Sequence, residues 1–225
     1  MTTFFVGGSM RSGTTLLQAV LCSTKATNPH IFEAQYLTRL FMLHHYGHVQ
    51  FDGFLQHYFD DQAQMTAFHA DMIQQFLDLT RRRYHPAPHL VLKNPEMTRL
   101  FPMIADLVED SKFIISVRDP RDTIASILDV AQRQAAQGQT TNLTQTGRDM
   151  TKHAANFNQF YAPVFNEKNS DFMKSVFIVK YEELVVHTQA VLNSLSDFTG
   201  LALRDFDPEQ PWRTLVDFSD DNVIR

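Results

Sequence analysis

The segment Gly8-Ser9-Met10-Arg11-Ser12-Gly13-Thr14-Thr15 gathers two glycines, an arginine and several hydroxyl residues. A glycine-rich turn of this kind directs backbone N–H groups at one point, and a helix that follows adds its own unpaired N–H groups, making a cradle for an anion. The frame is G-x-x-x-x-G-K-[ST], except that Thr14 stands where the lysine belongs. In nucleotide loops that lysine reaches the β- and γ-phosphates of a triphosphate, and the adjacent hydroxyl binds Mg²⁺. Its loss argues against ATP or GTP hydrolysis. Arg11 and the hydroxyls suit a single phosphate carried beside a different transferable group. Taken alone, the segment also reads as a plain glycine turn capped by threonines.

A second constellation is Arg118-Asp119-Pro120-Arg121-Asp122-Thr123-Ile124-Ala125-Ser126. Pro120 suits the first turn of a helix, which places Ser126 on an early turn of it. Arg118 and Ser126 can then hold a second anion together, although an Arg118–Asp122 surface ion pair is the plainer alternative. Lys93, at the end of an apolar run, is a further cation for developing negative charge.

The elements that must position these groups follow from hydrophobic pattern. Phe4-Phe5-Val6, Leu90-Val91-Leu92, Phe113 to Val117 and Val176 to Val179 are short runs, nearly apolar throughout, as strands covered on both faces require. They end at Gly7-Gly8, Lys93, Arg118 and Lys180. Helical spacing marks Thr14 to Leu21, the stripe Met65, Phe68, Met72, Phe76 and Leu79, and the stripe Met150, Ala154, Phe157, Tyr161 and Val164. Both stripes read as core packing. Gln134–Thr146 reads as a surface loop. The order predicts one α/β domain over residues 1–225: a three-layer parallel sheet with helices on both faces, of the P-loop nucleotide-binding type. Ligands in such sheets bind at the carboxyl edge of the strands.

In register, these motifs resemble the sulfotransferases that use phosphoadenosine phosphosulfate (PAPS). The family's 5′-phosphosulfate loop is similar to Arg11-Ser12-Gly13-Thr14-Thr15, and its 3′-phosphate motif spaces an Arg and a Ser as Arg118 and Ser126 are spaced. Val179-Lys180-Tyr181-Glu182-Glu183-Leu184 resembles a later strand-end segment whose tyrosine, here Tyr181, lies near the adenine. The resemblance runs from about residue 4 to residue 201. It implies metal-independent, in-line transfer of a sulfuryl group from PAPS to a hydroxyl, with PAP as product and with Arg11, Lys93 and the Thr14–Thr15 amides stabilising the charge. The small-molecule branch has a histidine base two residues beyond the lysine, where this chain has Pro95. The tyrosylprotein branch is nearer: it has a glutamate base in a segment resembling Asn28-Pro29-His30-Ile31-Phe32-Glu33, which puts Glu33 in that role and leaves His30 as the alternative. A glutamate merely complementing a helix N-terminus would look the same in sequence.

The run Ala34-Gln35-Tyr36-Leu37 lacks the basic residues that would grip an acidic peptide, so a hydroxylated small molecule, lipid or glycan is the expected acceptor. The competing readings are a P-loop kinase or nucleotidase, which needs the missing lysine, and a non-catalytic PAPS-binding module, which would not need Arg11, Lys93, Arg118 and Ser126 together. Composition narrows the rest. The chain has 225 residues, 44% hydrophobic, with a net charge of −5, so a chain-wide basic footprint for nucleic acid is absent. A single cysteine, Cys22, excludes an internal disulfide framework, and no run is long enough to span a membrane, so a cytoplasmic location is expected. His44 and His48 have helical ligand spacing but no evident acidic partner, and no metal is expected. Arg81-Arg82-Arg83 reads as a solvated helix end. In the family, a further segment follows the region resembling Gln210–Arg225 and closes over the nucleotide. The acidic run Ser219-Asp220-Asp221-Asn222 cannot replace it, so this sequence is expected to be a truncated form of a longer chain.

Overall fold

The computed structural model describes residues 1–206. Strands β1 (Thr3–Gly8), β2 (Leu90–Lys93), β3 (Ser111–Val117) and β4 (Val176–Lys180) form one sheet in the order β2-β1-β3-β4, with every neighbouring pair parallel. Helix α1 (Thr14–Leu21) leaves β1, and the long pair α2 (Gln35–Gln50) and α3 (Gln62–Arg83) precedes β2. α4 (Phe101–Leu107) links β2 to β3. α5 (Pro120–Ala136), α6 (Asn142–Thr146), α7 (Met150–Phe165) and α8 (Ser170–Lys174) lead to β4, and α9 (Tyr181–Val186) and α10 (Thr188–Thr199) follow it.

Alternation along the strands divides the core into two layers. Phe5, Leu92, Phe113 and Ile115 meet Phe41 of α2, Leu77 of α3, Phe101 of α4 and Val164 of α7. Phe4, Val6, Val91 and Ile114 face the other way, against Leu17 and Leu21 of α1 and Leu195 of α10. Full burial of such a side chain contributes roughly 1.5–3 kcal/mol. The chain therefore has the three-layer α/β architecture expected of it. No helix among the described residues is long and apolar enough to cross a membrane.

Several local expectations need correction. The buried face of α3 runs Met65, His69, Ile73 and Leu77, while Phe68 and Leu79 are 51% and 60% exposed. His69 takes an interior position because its Nδ1 lies 3.2 Å from Nδ1 of the buried His44 on α2, a pairing that hydrophobic periodicity cannot register. In α7, Met150 and Ala154 are exposed, and His153 and Phe160 are buried instead. Gln134–Thr146 is not a plain loop: α5 continues to Ala136, and a reciprocal capping box between Thr141 and Thr144 opens α6. Arg81 is not a solvated residue, since it donates to Thr3 Oγ1 at 2.8 Å and pairs with Asp78 at 2.9 Å. The expectations for Gln210–Arg225 lie outside the described residues.

Strand register aligns the carboxyl ends. Val6 sits beside Lys93, Gly8 beside Ser116 and Val117 beside Lys180. From this edge the path out of β1 leads to β2 on one side, and the path out of β3 leads to β4 on the other. The crevice between β1 and β3 is thus a topological switch point, the ligand-binding position of open α/β sheets.

Candidate active site

The Gly8–Thr15 loop occupies that crevice, and its backbone is held by hydroxyls from three distant segments. Thr98 Oγ1 accepts the Gly8 N–H at 2.7 Å. The Tyr161 hydroxyl of α7 accepts the Ser9 N–H at 3.0 Å and donates to the Ser116 carbonyl at 3.0 Å. Ser116 Oγ donates to the Ser12 carbonyl at 2.5 Å, and Ser12 Oγ donates back to the Ser9 carbonyl at 2.7 Å. The glycines are required sterically. Gly8 has φ 137°, and a Cβ there would meet the Ser116 carbonyl and the Ser12 hydroxyl. Gly13 has φ 91° and lies against the Tyr181 ring, which a Cβ would enter. Helix α1 has Gly13 at its N-cap and no side-chain cap, so the capped-turn alternative is not what forms. Its first-turn N–H groups keep the positive end of the helix dipole uncompensated at the loop.

Arg118 leaves β3 with its guanidinium 4.8 Å from the centre of the Tyr181 ring and donates to the Arg11 carbonyl at 3.3 Å. Arg11 Nε in turn donates to Ser126 Oγ at 3.1 Å. The expected donor-binding residues Arg11, Arg118, Ser126 and Tyr181 are therefore brought together around one loop. The ion pair formed in this segment is Asp119–Arg121 at 2.7 Å, not Arg118–Asp122. Arg118 Nε is buried without a hydrogen-bond partner. Burial, then the charges of Arg133 and Arg118, lower the Arg11 pKa, with Tyr181 acting in the opposite sense. Like charges crowded beside an unsatisfied donor make a strong anion site. Arg133 is absent from the sequence reading, yet it lies seven residues beyond Ser126 on the same helix, a spacing that puts both on one face.

On the other side of the loop, Lys93 Nζ lies 2.8 Å from Glu33 Oε1 and 3.5 Å from Thr15 Oγ1. The Lys93 side chain is only 8% exposed, against 39% for Glu33, so the lysine is directed into the site instead of snorkelling to solvent. Glu33 stands just ahead of α2 and does not cap it; its Oε2 accepts from Gln35 Nε2 at 3.4 Å. The Ala34 N–H donates to the Lys93 carbonyl at 2.9 Å and ties the glutamate segment to the end of β2. His30 is buried beside them. Its pKa is pushed down to about 4, first by burial and then by Lys93, against an opposing hydrogen bond with the Thr15 backbone. Arg11, Thr14, Thr15, His30, Glu33 and Lys93 line one cleft of about 550 Å³. Among the described residues no cluster of three or more His, Cys, Asp or Glu side chains is arranged to hold a metal ion.

A parallel sheet whose first strand feeds a glycine loop and an uncapped helix defines the P-loop class of α/β folds. Within that class, a family model described as "Sulfotransferase family" matches residues 3–205, and the chain belongs to this family. It is 26% identical to the protein-tyrosine sulfotransferase of Drosophila melanogaster over 215 residues, covering 91% of this chain and 39% of that protein. It is 32% identical to a putative protein-tyrosine sulfotransferase of Caenorhabditis briggsae over 131 residues, covering 56% of this chain and 42% of that protein. The chain thus spans about two fifths of the length of these curated relatives. The sulfotransferase domain from the curacin biosynthetic pathway superposes with a TM-score of 0.58 at 22% identity, covering 96% of this chain and 80% of that one. A sulfotransferase from Alicyclobacillus acidocaldarius gives 0.57 at 16% identity, with 98% and 87% covered. These likenesses extend the family's fold across the described chain.

Proposed function

We propose that this chain transfers a sulfuryl group from PAPS to a hydroxyl acceptor without a metal. The observation that carries the reading is the two-sided loop, with Arg118, Ser126 and Tyr181 on one flank and Lys93 and Glu33 on the other. The residues fit the donor: a buried arginine Nε without a partner, an uncapped helix N-terminus, and two glycines whose replacement would fill the cradle. Arg118 and Ser126 take the 3′-phosphate, Tyr181 flanks the adenine, and the amides from Ser12 to Thr15 take the 5′-phosphosulfate. Bound PAPS supplies a sulfuryl group on a leaving phosphate. Lys93 and Arg11 stabilise the charge that develops on the sulfuryl and leaving oxygens. Glu33, 39% exposed in the cleft lining, takes the proton of the attacking hydroxyl. The relatives' names point to protein tyrosine as an acceptor class, while the run Ala34-Gln35-Tyr36-Leu37 that follows Glu33 lacks basic residues.

Thermal unfolding with PAP tests the donor site. At a hundredfold excess over Kd, PAP is expected to add about 2.7 kcal/mol, or several degrees, in the presence of chelator. Equal stabilisation by ATP with Mg²⁺, abolished by chelator, would favour the kinase reading and overturn this one. Turnover of labelled PAPS separates an enzyme from a binding module.

A further inference from the structure

The cleft that holds Glu33 and Lys93 also has apolar walls. Met10, Ile31, Phe32, Ile127, Val130 and Leu143 line it. Ile127 and Val130 sit three residues apart on α5 and so share a face, and Leu143 comes from α6. Met10 and Phe32 remain 39% and 68% exposed although each adjoins a reacting residue in sequence, Arg11 and Glu33 respectively. Among the described residues the cations lining the cleft are Arg11 and Lys93, and both are engaged at the donor end, with Ser126 and with Glu33. The one carboxylate in the lining among the described residues, Glu33, would repel an acidic ligand.

Resting on the sulfuryl-transfer reading above, we infer that the acceptor is an uncharged apolar hydroxyl compound, an alkyl or aryl alcohol, in contrast to an acidic tyrosine peptide or a sugar. An acidic peptide would bring carboxylates to a cleft whose lining cations, Arg11 and Lys93, already bond Ser126 and Glu33. A sugar would find polar side chains, among the described residues, only at Thr14, Thr15, His30 and Gln35 besides the reacting groups, and would set its remaining hydroxyls against apolar walls. An alkyl or aryl body instead gains from each methylene withdrawn from water. Its oxygen bonds to sulfur as the bond from sulfur to the donor phosphate breaks, its proton passes to Glu33, and PAP departs.

The test measures kcat/KM of the full chain with labelled PAPS across primary alcohols from ethanol to decanol, alkylphenols, an acidic tyrosine peptide and glucose. The PAP melting shift is recorded in parallel. The expected result is kcat/KM rising with chain length, by up to about fourfold (~0.8 kcal/mol) per methylene until the cleft is filled. Peptide and glucose should fall at least tenfold below the best alcohol. Leu143→Arg should raise KM for the long alcohols at least tenfold while the PAP shift stays, and Val130→Ser gives the same readout with a smaller change if the arginine disturbs folding. Preference for peptide or sugar, or a profile flat with chain length, overturns the inference. So does failure to turn over any alcohol while PAP still stabilises the fold, an outcome that leaves the donor reading standing. Absence of any PAP stabilisation overturns the donor reading itself and the acceptor with it.

Discussion

Lys93 connects the two halves of the proposed chemistry, because its ammonium is shared between Glu33 and Thr15. A lysine drawn toward a bound sulfuryl group would release the glutamate as base, and in the proposed reaction this would couple donor binding to base activation through one side chain. Glu33→Gln keeps the shape and removes the proton acceptor; kcat should fall by about 10²–10⁴, with PAP affinity retained in calorimetric titration. Retained turnover would move the base to His30 or to the acceptor. Arg118 has the opposite expected signature. Arg118→Ala should weaken PAP by roughly 1.5–3 kcal/mol, the loss of a charged hydrogen bond, and leave the nucleotide without its 3′-phosphate nearly unaffected. Equal losses for both nucleotides would mean that Arg118 supports the Tyr181 ring and does not bind the phosphate.

At the scale of elements, the loop depends on what α7 and β3 bring to it. Tyr161→Phe removes the hydroxyl that joins Ser9 to Ser116. It should lower stability by about 1–3 kcal/mol, since a buried N–H loses its acceptor, and should weaken PAP through a loosened loop; denaturant unfolding and titration check the two effects. The four strands and the loop are legible in the sequence because strands buried on both faces leave continuous apolar runs, and because glycines and cations collect where those runs end. Arg118 and Ser126 are legible by their spacing from the end of one strand to an early turn of the helix that follows it. Tyr161, Thr98 and Ser116 are not, since each is a single hydroxyl whose partner lies far away along the chain. The burial of His44 and His69 is likewise hidden, because a histidine counts as polar in any periodicity until its partner on the neighbouring helix is known. Glu33 is legible only through the segment around it, whereas its pairing with Lys93 belongs to the tertiary fold.

For the whole molecule, the buried histidines set the response to acid. Burial, followed by the neighbouring His48, His69 and His45, pushes the His44 pKa down to about 4. Burial and Lys93 do the same for His30, and burial and His48 lower that of His69. Each group binds its proton more readily in the unfolded chain, near the ordinary value of about 6.5. Stability is therefore full above that pH and is lost as the pH falls from there toward 4, on the order of a kcal/mol or more each for His44 and His30. Denaturant unfolding between pH 4 and 7 should show this slope, and His44→Asn, which deletes one of the protons, should flatten it. A pH-independent midpoint across that range would show that these side chains stay solvated. The placement of Cys22 has a practical consequence as well. The chain's single cysteine is 1% exposed, packed with Leu17 and Leu21, so thiol-directed probes should hardly touch the native protein. Glu109 is exposed on the turn that leads into β3, at the edge of the sheet opposite the loop. A Glu109→Cys substitution would thus accept a fluorophore or a surface tether at one defined point, holding the molecule with its cleft turned toward the solution.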